Sequence, residues 1–513
     1  MFACFACAWA LSSCSGQQPS DAAASDESGD DAAAEESWDD LDEGDIEGEP
    51  SPPGLEPDDE ALAKRLDSFL ERNFPASHMP GAAVAIVDAD GVRYMKTLGT
   101  CDSDDDAFYI GSLSKSFTAL CIMQLVEAGK VDLDAPASDY APQYAPASQV
   151  SVRMLLNQTS GFGYYDALSD AAVGDTFGEF SYSNANYDLL GRIVEGASGE
   201  SYASYVQEHV FDPLGMADSS ATGARSAAGG SDGTSSADAD VLGHRNYFGV
   251  YVDDGFEHGE GDVLWGGPSS GYVASSVRDM ARYLQMYLRA GDGLLSPDGV
   301  SQMFWSSVPD PYGDTYYGMG WTIFTWDDGE TVLSHDGDVE TNVASMCLLP
   351  ERGLGIVVLG DGYDDIAGNA QFFELANDVI SISTGAIPTD LSAHAYDDAH
   401  RDDNLQWALF LLVCAVPLAF IRPWKRLAKD IIAQRDVFRA FALGLVDALV
   451  FLGAPALILS TPYRWGIPWR DVLTFYPTLS CGLIAAAGLL AIAAIWHIVS
   501  MAIIVRDRCC KTG

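Results

Sequence analysis

Three apolar runs crowd the C-terminal part of the chain and fix its setting before any other feature is read. They are LQWALFLLVCAVPLAFI at 405–421, AFALGLVDALVFLGAPALILS at 440–460 and TLSCGLIAAAGLLAIAAIWHIVSMAIIV at 478–505. Each is near or above the roughly 20 residues that cross about 30 Å of hydrocarbon. A core helix of a soluble protein shows a polar face at the 3.6-residue period; these runs show none. Residues 405–505 are therefore expected to form a membrane domain of three transmembrane helices. The first loop, RPWKRLAKDIIAQRDVFR at 422–439, is rich in Lys and Arg, and so is the tail RDRCCK at 506–511. Basic loops stay on the cytoplasmic side. The sequence thus predicts a cytoplasmic tail at 506–513 and places everything before Leu405 outside.

The other end agrees. MFACFACAWALSSCSG at 1–16 is a short apolar run closing on small residues, as in an export signal. Within it, LSSC resembles a bacterial lipobox, which would make Cys14 a lipidated residue and membrane lipid a partner. The pattern departs from the usual one in having no Lys or Arg before the apolar run. Residues 15–58 follow as an acidic spacer, with no Lys or Arg anywhere in it. Such a segment cannot bury enough apolar surface to offset its ordering entropy, so it is expected to be a disordered linker. The whole chain carries a formal net charge of −48. A phosphate backbone would be repelled by it, which excludes nucleic acid as a partner. Once the cysteines of the signal, the spans and the tail are set aside, Cys101, Cys121 and Cys347 remain in the exported region. This odd, sparse set is no disulfide framework. The histidines there are scattered without metal-ligand spacing, so no metal or other cofactor is expected.

Between the linkers lies one soluble domain, 59–385, tied to the first span by a linker at 386–404. It opens with an amphipathic helix, DEALAKRLDSFLERNF, and a hairpin, AAVAIVD and VRYMKTLG around DADG. It closes with strands NVASMCLLP and LGIVVLGD and a helix, NAQFFELANDVISIS. Strands at both ends with helical segments between them predict an α+β fold: one sheet built from both termini, with a helical region inserted. The Gly/Ser-rich segment 219–240 reads as a long surface loop.

Inside this domain, GSLSKSFTALCIMQLVEAG at 111–129 predicts a helix stopped by Gly129. Ser112 and Lys115 are three apart and share a face one turn from each other; Ser114 points about 200° away. A serine hydroxyl needs a base within reach to act as a nucleophile, and a lysine amine can be that base if burial lowers its pKa. The helix start adds free N–H groups suited to an oxyanion. Taken alone, S-x-x-K is also what a serine N-cap beside a surface lysine looks like.

The surrounding segments change the weighting. FYIGSLSKSFTA at 108–119 resembles the class C β-lactamase-related serine hydrolases and penicillin-binding proteins. SVRMLLNQTSGF at 151–162 is similar to that family's LLTHTSG segment, with Gln158 in place of the usual His. Tyr182-Ser183-Asn184 matches the Y-x-N motif, and His335-Asp336-Gly337 matches the H-x-G form of the third motif, which is K-T-G in class C lactamases. The terminal Lys511-Thr512-Gly513 is a chance K-T-G, since it follows the last span. The resemblance implies a β-lactamase/transpeptidase-like domain in which Ser112 attacks a carbonyl and forms an acyl-enzyme. Lys115 and Tyr182 would share the general-base work, and Asn184 would orient the substrate. His335 and Gly337 would line the opposite wall, with the backbone N–H groups of Ser112 and Asp338 as the oxyanion hole. His335 in place of a fixed cation weakens attraction for a substrate carboxylate. The expected activity is hydrolysis of an amide or ester: a small molecule or a peptidoglycan-derived peptide, a β-lactam or an ester. A catalytically silent sensor on the same fold is the alternative.

Overall fold

The computed structural model describes residues 59–223 and 241–512, apart from single positions at 260, 312, 328, 420, 435 and 436. Cys14, the signal and the acidic linker lie outside the described residues, as does most of the Gly/Ser-rich loop. The described chain divides into two compact units, one of residues up to Gly243 together with Gly255–Ala393, the other of His244–Asp254 and His394–Gly513.

In the first unit, helix α1 (Asp59–Ser77) buries Leu62, Leu66, Phe69 and Leu70, a stripe at helical spacing. The hairpin β1 (Gly81–Val87) and β2 (Val92–Gly99) follows. Strand β3 (Ala107–Tyr109) leads through a tight 3₁₀ turn, Gly111–Leu113, into helix α2 (Ser114–Glu127). The helical region continues with α3 (Asn184–Ser198). Short strands β4 (Val241–Leu242) and β7 (Ala274–Ser276) flank β3 in a small three-stranded sheet. Helix α4 (Val277–Leu288) then precedes β8 (Val308–Pro309), β9 (Tyr316–Tyr317), β10 (Thr322–Thr325), β11 (Thr331–Val339), β12 (Asn342–Leu349) and β13 (Leu354–Gly360), and helix α5 (Gly368–Ser383) ends the unit.

The main sheet runs β2-β1-β13-β12-β11-β10-β9-β8, antiparallel throughout. The N-terminal hairpin pairs with the C-terminal strands, Val84 opposite Val358, so the expected two-ended sheet is what forms. Every residue of β1, β12 and β13 is buried, because both faces are covered. A side chain at Gly360 would meet Phe372 of α5, whereas one at Gly355 would meet Leu284 of α4. The second cover continues into the large core around Phe117, Leu120, Tyr187 and Leu284.

The second unit is helical apart from a hairpin, β5 (Arg245–Tyr247) and β6 (Val250–Val252), which is inserted in the sequence of the first. Arg245 donates to the carbonyls of Leu473 and Thr474 at 3.3 and 3.0 Å and pairs with Asp254 at 2.7 Å. Helix α6 (Ala395–Ala419) begins inside the expected 386–404 linker. Helices α7 (Ile421–Gln434), α8 (Val437–Ala448), α9 (Ala454–Leu459) and α10 (Pro477–Thr512) follow, with two short helices, Thr461–Arg464 and Trp469–Phe475, between the last two. Two segments, Ala395–Ala419 and Pro477–Ile503, are long and apolar enough to cross a membrane by length and composition. The middle run is not one long helix. It is α8 and α9 joined by a π-helical turn, Leu449–Gly453. Pro455 has no N–H for the carbonyl four residues back and its ring crowds that carbonyl, so the ladder widens there. Within this unit His497 Nδ1 lies 3.5 Å from Asp447 Oδ1, and Trp424 Nε1 donates to the same oxygen at 3.2 Å. The two ionisable residues that interrupt the second and third apolar runs therefore meet.

Candidate active site

Ser112 sits in the 3₁₀ turn rather than in the first turn of α2, and it is the only residue from Gly111 to Met123 that reaches solvent. The three serines of this stretch have separate surroundings. Ser114 Oγ donates to Gly111 O at 2.7 Å and accepts from Val273 N–H at 3.1 Å. Ser116 Oγ donates to Leu113 O at 2.7 Å and accepts from Tyr283. Both are buried and bonded to the frame. The hydroxyl of Ser112 faces Lys115, whose Nζ lies 2.9 Å from it.

Lys115 is fully buried. Its Nζ also lies 2.7 Å from Asn184 Oδ1 and 2.6 Å from Ser270 O. Burial lowers the amine to about 7, against a smaller upward pull from Asp188 and Asp338. Asn184 opens α3, and Asp188 follows one helical turn later. One oxygen of Asp188 is buried without a hydrogen-bond partner. Burial raises its carboxyl to about 6.

Tyr182 stands across the cleft, with Lys115 Nζ 4.8 Å from its ring centroid. Burial and then the neighbouring Tyr317 push its phenol well above 10, while a hydrogen bond with Ser112 pulls it back. The segment carrying it is pinned by Gln158. That residue adopts a left-handed backbone, φ 58°. Its carbonyl accepts from Ser181 N–H at 2.8 Å and its Oε1 accepts from Ser183 N–H at 3.0 Å. The residue that departs from the family's usual His thus clamps the chain on both sides of Tyr182.

The opposite wall is β11. Its pairing with β10 ends at Ser334, so residues 335–339 offer a free edge beyond that point. A Cβ added to Gly337 would lie 2.5 Å from Ile110 O and 2.7 Å from Ser112 N; one added to Gly111 would lie 2.5 Å from Asp338 N. The two backbones therefore touch, which brings the amides of Ser112 and Asp338 side by side. His335 Nδ1 is 2.6 Å from Asp336 O and its Nε2 is 3.2 Å from Tyr317 OH. A carbonyl only accepts, so Nδ1 carries the proton and Nε2 accepts from the phenol. Burial, and then Lys115, push His335 down to about 3, so it is neutral.

All the residues singled out in the sequence, Ser112, Lys115, Tyr182, Asn184, His335, Gly337 and Asp338, converge on this cleft. Sequence reasoning missed Gln158 as a clamp, Ser270 as the source of a carbonyl acceptor for Lys115, and Asp188, which its position four residues after Asn184 could have indicated. Elsewhere in the described residues, Glu200, Glu208 and His209 bring donor atoms within 4.8 Å of one another. His209 Nε2 and Glu200 Oε2 lie 3.5 Å apart there.

Comparison with known proteins fits this geometry. A family model described as Beta-lactamase matches residues 63–369. Protein flp of Staphylococcus aureus (strain MW2) is 27% identical over 81% of this chain and 86% of its own length. Penicillin-binding protein 4 of Amycolatopsis lactamdurans is 28% identical over 56% of this chain and 81% of its own. Among solved structures, the octameric penicillin-binding protein homologue from Pyrococcus abyssi matches with a TM-score of 0.51. It is 24% identical and the match covers 64% of this chain and 78% of that one. The D-amino acid amidase from Ochrobactrum anthropi SV3 matches with a TM-score of 0.50 at 20% identity, over 63% and 99% of the two chains, which shows a shared fold. With the family model spanning more than half of the sequence, and the α+β sheet and helical region it implies both present, the chain belongs to the beta-lactamase family.

Proposed function

We propose that the protein is a membrane-attached, extracytoplasmic serine hydrolase that works through an acyl-enzyme on Ser112. The observation that carries the reading is the set of bonds to Lys115. A neutral amine has two N–H donors and one lone pair. Asn184 Oδ1 and Ser270 O can only accept, so they take the two donors and the lone pair is left for the Ser112 hydroxyl. In the first step Ser112 Oγ bonds to the substrate carbonyl carbon while its proton passes to Lys115 Nζ. The new oxyanion is held by the backbone N–H groups of Ser112 and Asp338. The leaving amine or alcohol departs with a proton, and water then attacks the acyl-enzyme by the reverse relay. Tyr182 stays protonated at neutral pH, so it serves as a hydrogen-bond donor within this relay and Lys115 as the base. The buried, bonded environments of Ser114 and Ser116 support Ser112 as the nucleophile.

The amine near 7 sets the test. The base must be unprotonated, so the rate at which a fluorophosphonate labels Ser112 rises about tenfold per pH unit below 7 and levels off above it. His335 adds no step in that range, since it is already neutral. Asp188 and Asp338, raised by burial to about 6, lose their charge below that pH, relax their upward pull on Lys115 and make the limb shallower there. A flat profile from pH 5 to 9 would sink Lys115 as the base. No labelling at any pH would favour the silent sensor.

The basic segments 422–439 and 506–511 share one side only if the path through α8 and α9 also crosses the bilayer. We propose that it does, and that both segments are cytoplasmic. Cys509 and Cys510 are then expected to resist a membrane-impermeant maleimide in intact cells. Ready labelling from outside would reverse the orientation.

A further inference from the structure

The charge at the mouth of the cleft is the reverse of what a substrate carboxylate needs. Along β11 burial alternates: His335, Gly337 and Val339 are buried, while Asp336 and Asp338 are exposed. A Cβ on Gly111 would lie 2.5 Å from Asp338 N and one on Gly337 would lie 2.7 Å from Ser112 N, which places Asp338 beside the turn of the nucleophile. Burial raises its carboxyl to about 6, so it is a carboxylate at neutral pH, and it acts electrostatically on Lys115, Tyr164, Tyr182 and Tyr272. It forms no ion pair among the described residues. The basic side chains nearby are committed elsewhere. Lys115 is bonded to three oxygens inside the wall. Arg192 is paired with Glu195 and Asp262 at 2.9 and 2.8 Å. His258 has its ring nitrogens 3.2 Å from Glu340 Oε1 and 3.2 Å from Gly266 O. His335 has both ring nitrogens occupied within the protein.

The neighbouring wall is aromatic. Trp265 Nε1 donates to Tyr164 O at 2.6 Å, and the two rings are 5.4 Å apart. Tyr165 lies 5.7 Å from Trp265, and Tyr164 lies 6.4 Å from Tyr182. Tyr164 as a residue is 49% exposed, so part of this wall is open to a ligand. A carboxylate next to the electron-rich faces of aromatic rings is a combination that attracts an ammonium group and repels an anion.

We propose that Asp338 selects acyl donors with a free ammonium group close to the scissile carbonyl, such as unblocked amino-acid esters or amides, and rejects donors with a carboxylate there. This rests on Ser112 being the nucleophile. It goes further in naming the charge of the substrate and the residue that reads it. Asp338 is thereby a specificity residue through its side chain, separate from the work of its backbone N–H.

Competition against fluorophosphonate labelling of the full-length, detergent-solubilised protein tests this whether the natural bond is an ester or an amide. The probes are racemic phenylalanine methyl ester, its N-acetyl derivative and N-acetylphenylalanine. The free-amine ester is expected to protect Ser112 at concentrations roughly tenfold or more below the acetylated ester, within the range for one charge pair about 4 Å apart in partly solvated surroundings. N-acetylphenylalanine should protect least. Asp338→Asn should bring the two esters within about threefold of each other, and Asp338→Glu should restore the gap. The ratio between the esters cancels any general loss of reactivity in a variant. Equal protection by the two esters in the unaltered protein would overturn the proposal, as would a preference that survives Asp338→Asn. Failure of the probe to label Ser112 at all is a different result and would overturn the nucleophile instead.

Discussion

Ser112→Ala is expected to abolish covalent labelling by a fluorophosphonate, and Lys115→Ala to slow it at least 10²-fold, the low end for a positioned base. Ser114→Ala and Ser116→Ala should keep most of the label. The reason lies in what each side chain touches. Ser112 alone is open to solvent and 2.9 Å from the amine. Lys115→Ala removes the basic nitrogen bonded to that hydroxyl and strands Asn184 Oδ1 and Ser270 O, and Tyr182, which also bonds Ser112, stays protonated and so does not take its place. Ser114→Ala does something else. It leaves the Val273 N–H, buried with its neighbours, without its partner, which costs about 1–3 kcal/mol of stability. A lowered Tm with labelling retained is the expected signature of Ser114→Ala. A Lys115→Ala enzyme within threefold of the unaltered rate would show that the proton leaves Ser112 by another route.

Some of this was legible in the sequence because the determinants are local. The spacing of Ser112 and Lys115 is fixed by helical geometry wherever the helix lies. The hairpin around Asp88–Gly91 follows from alternation and turn residues, and Gly129 does end α2, with a left-handed φ of 68°. The two-ended sheet could be read because its outermost elements have clear patterns. Other features have no local signature. Ser270 acts through its carbonyl, which any residue would supply. Gln158 was visible only as a departure from a familiar segment, and its clamp on Ser181 and Ser183 exists only once the fold brings them together. Strands β8 and β9 are two residues each and too short to show alternation. The β5–β6 hairpin is an ordinary short hairpin by pattern. That it belongs to the helical unit depends on Arg245 reaching carbonyls more than two hundred residues away. The break between α8 and α9 was signalled by Gly453 and Pro455, yet hydropathy averages over such residues and registers one continuous apolar run.

The close approach of the 3₁₀ turn to β11 leads to the second large expected effect. Gly111 has φ 55°, and a Cβ there would lie 2.5 Å from Asp338 N and 2.7 Å from the Gly337 carbonyl carbon. A Cβ on Gly337 would meet Ile110 O and Ser112 N at 2.5 and 2.7 Å. All four contacts are with backbone, which cannot swing aside as a side-chain tip can. Either substitution must therefore push apart the two amides proposed to hold the oxyanion. Losing one such donor costs about 10²–10³-fold, so Gly111→Ala and Gly337→Ala are each expected to label at least 10²-fold more slowly. Gly111→Ala also forces a left-handed alanine, at roughly 1–2 kcal/mol. Gly129→Ala separates the two causes. Its φ is 68°, and nothing lies within 4 Å of the added Cβ. It should show the backbone penalty as a lower Tm while labelling at the unaltered rate. If Gly111→Ala behaved like Gly129→Ala, losing stability but not reactivity, the contact between turn and strand would not be what sets the oxyanion geometry. The Ser112 and Asp338 amides would then have to be replaced in the proposed relay by donors elsewhere.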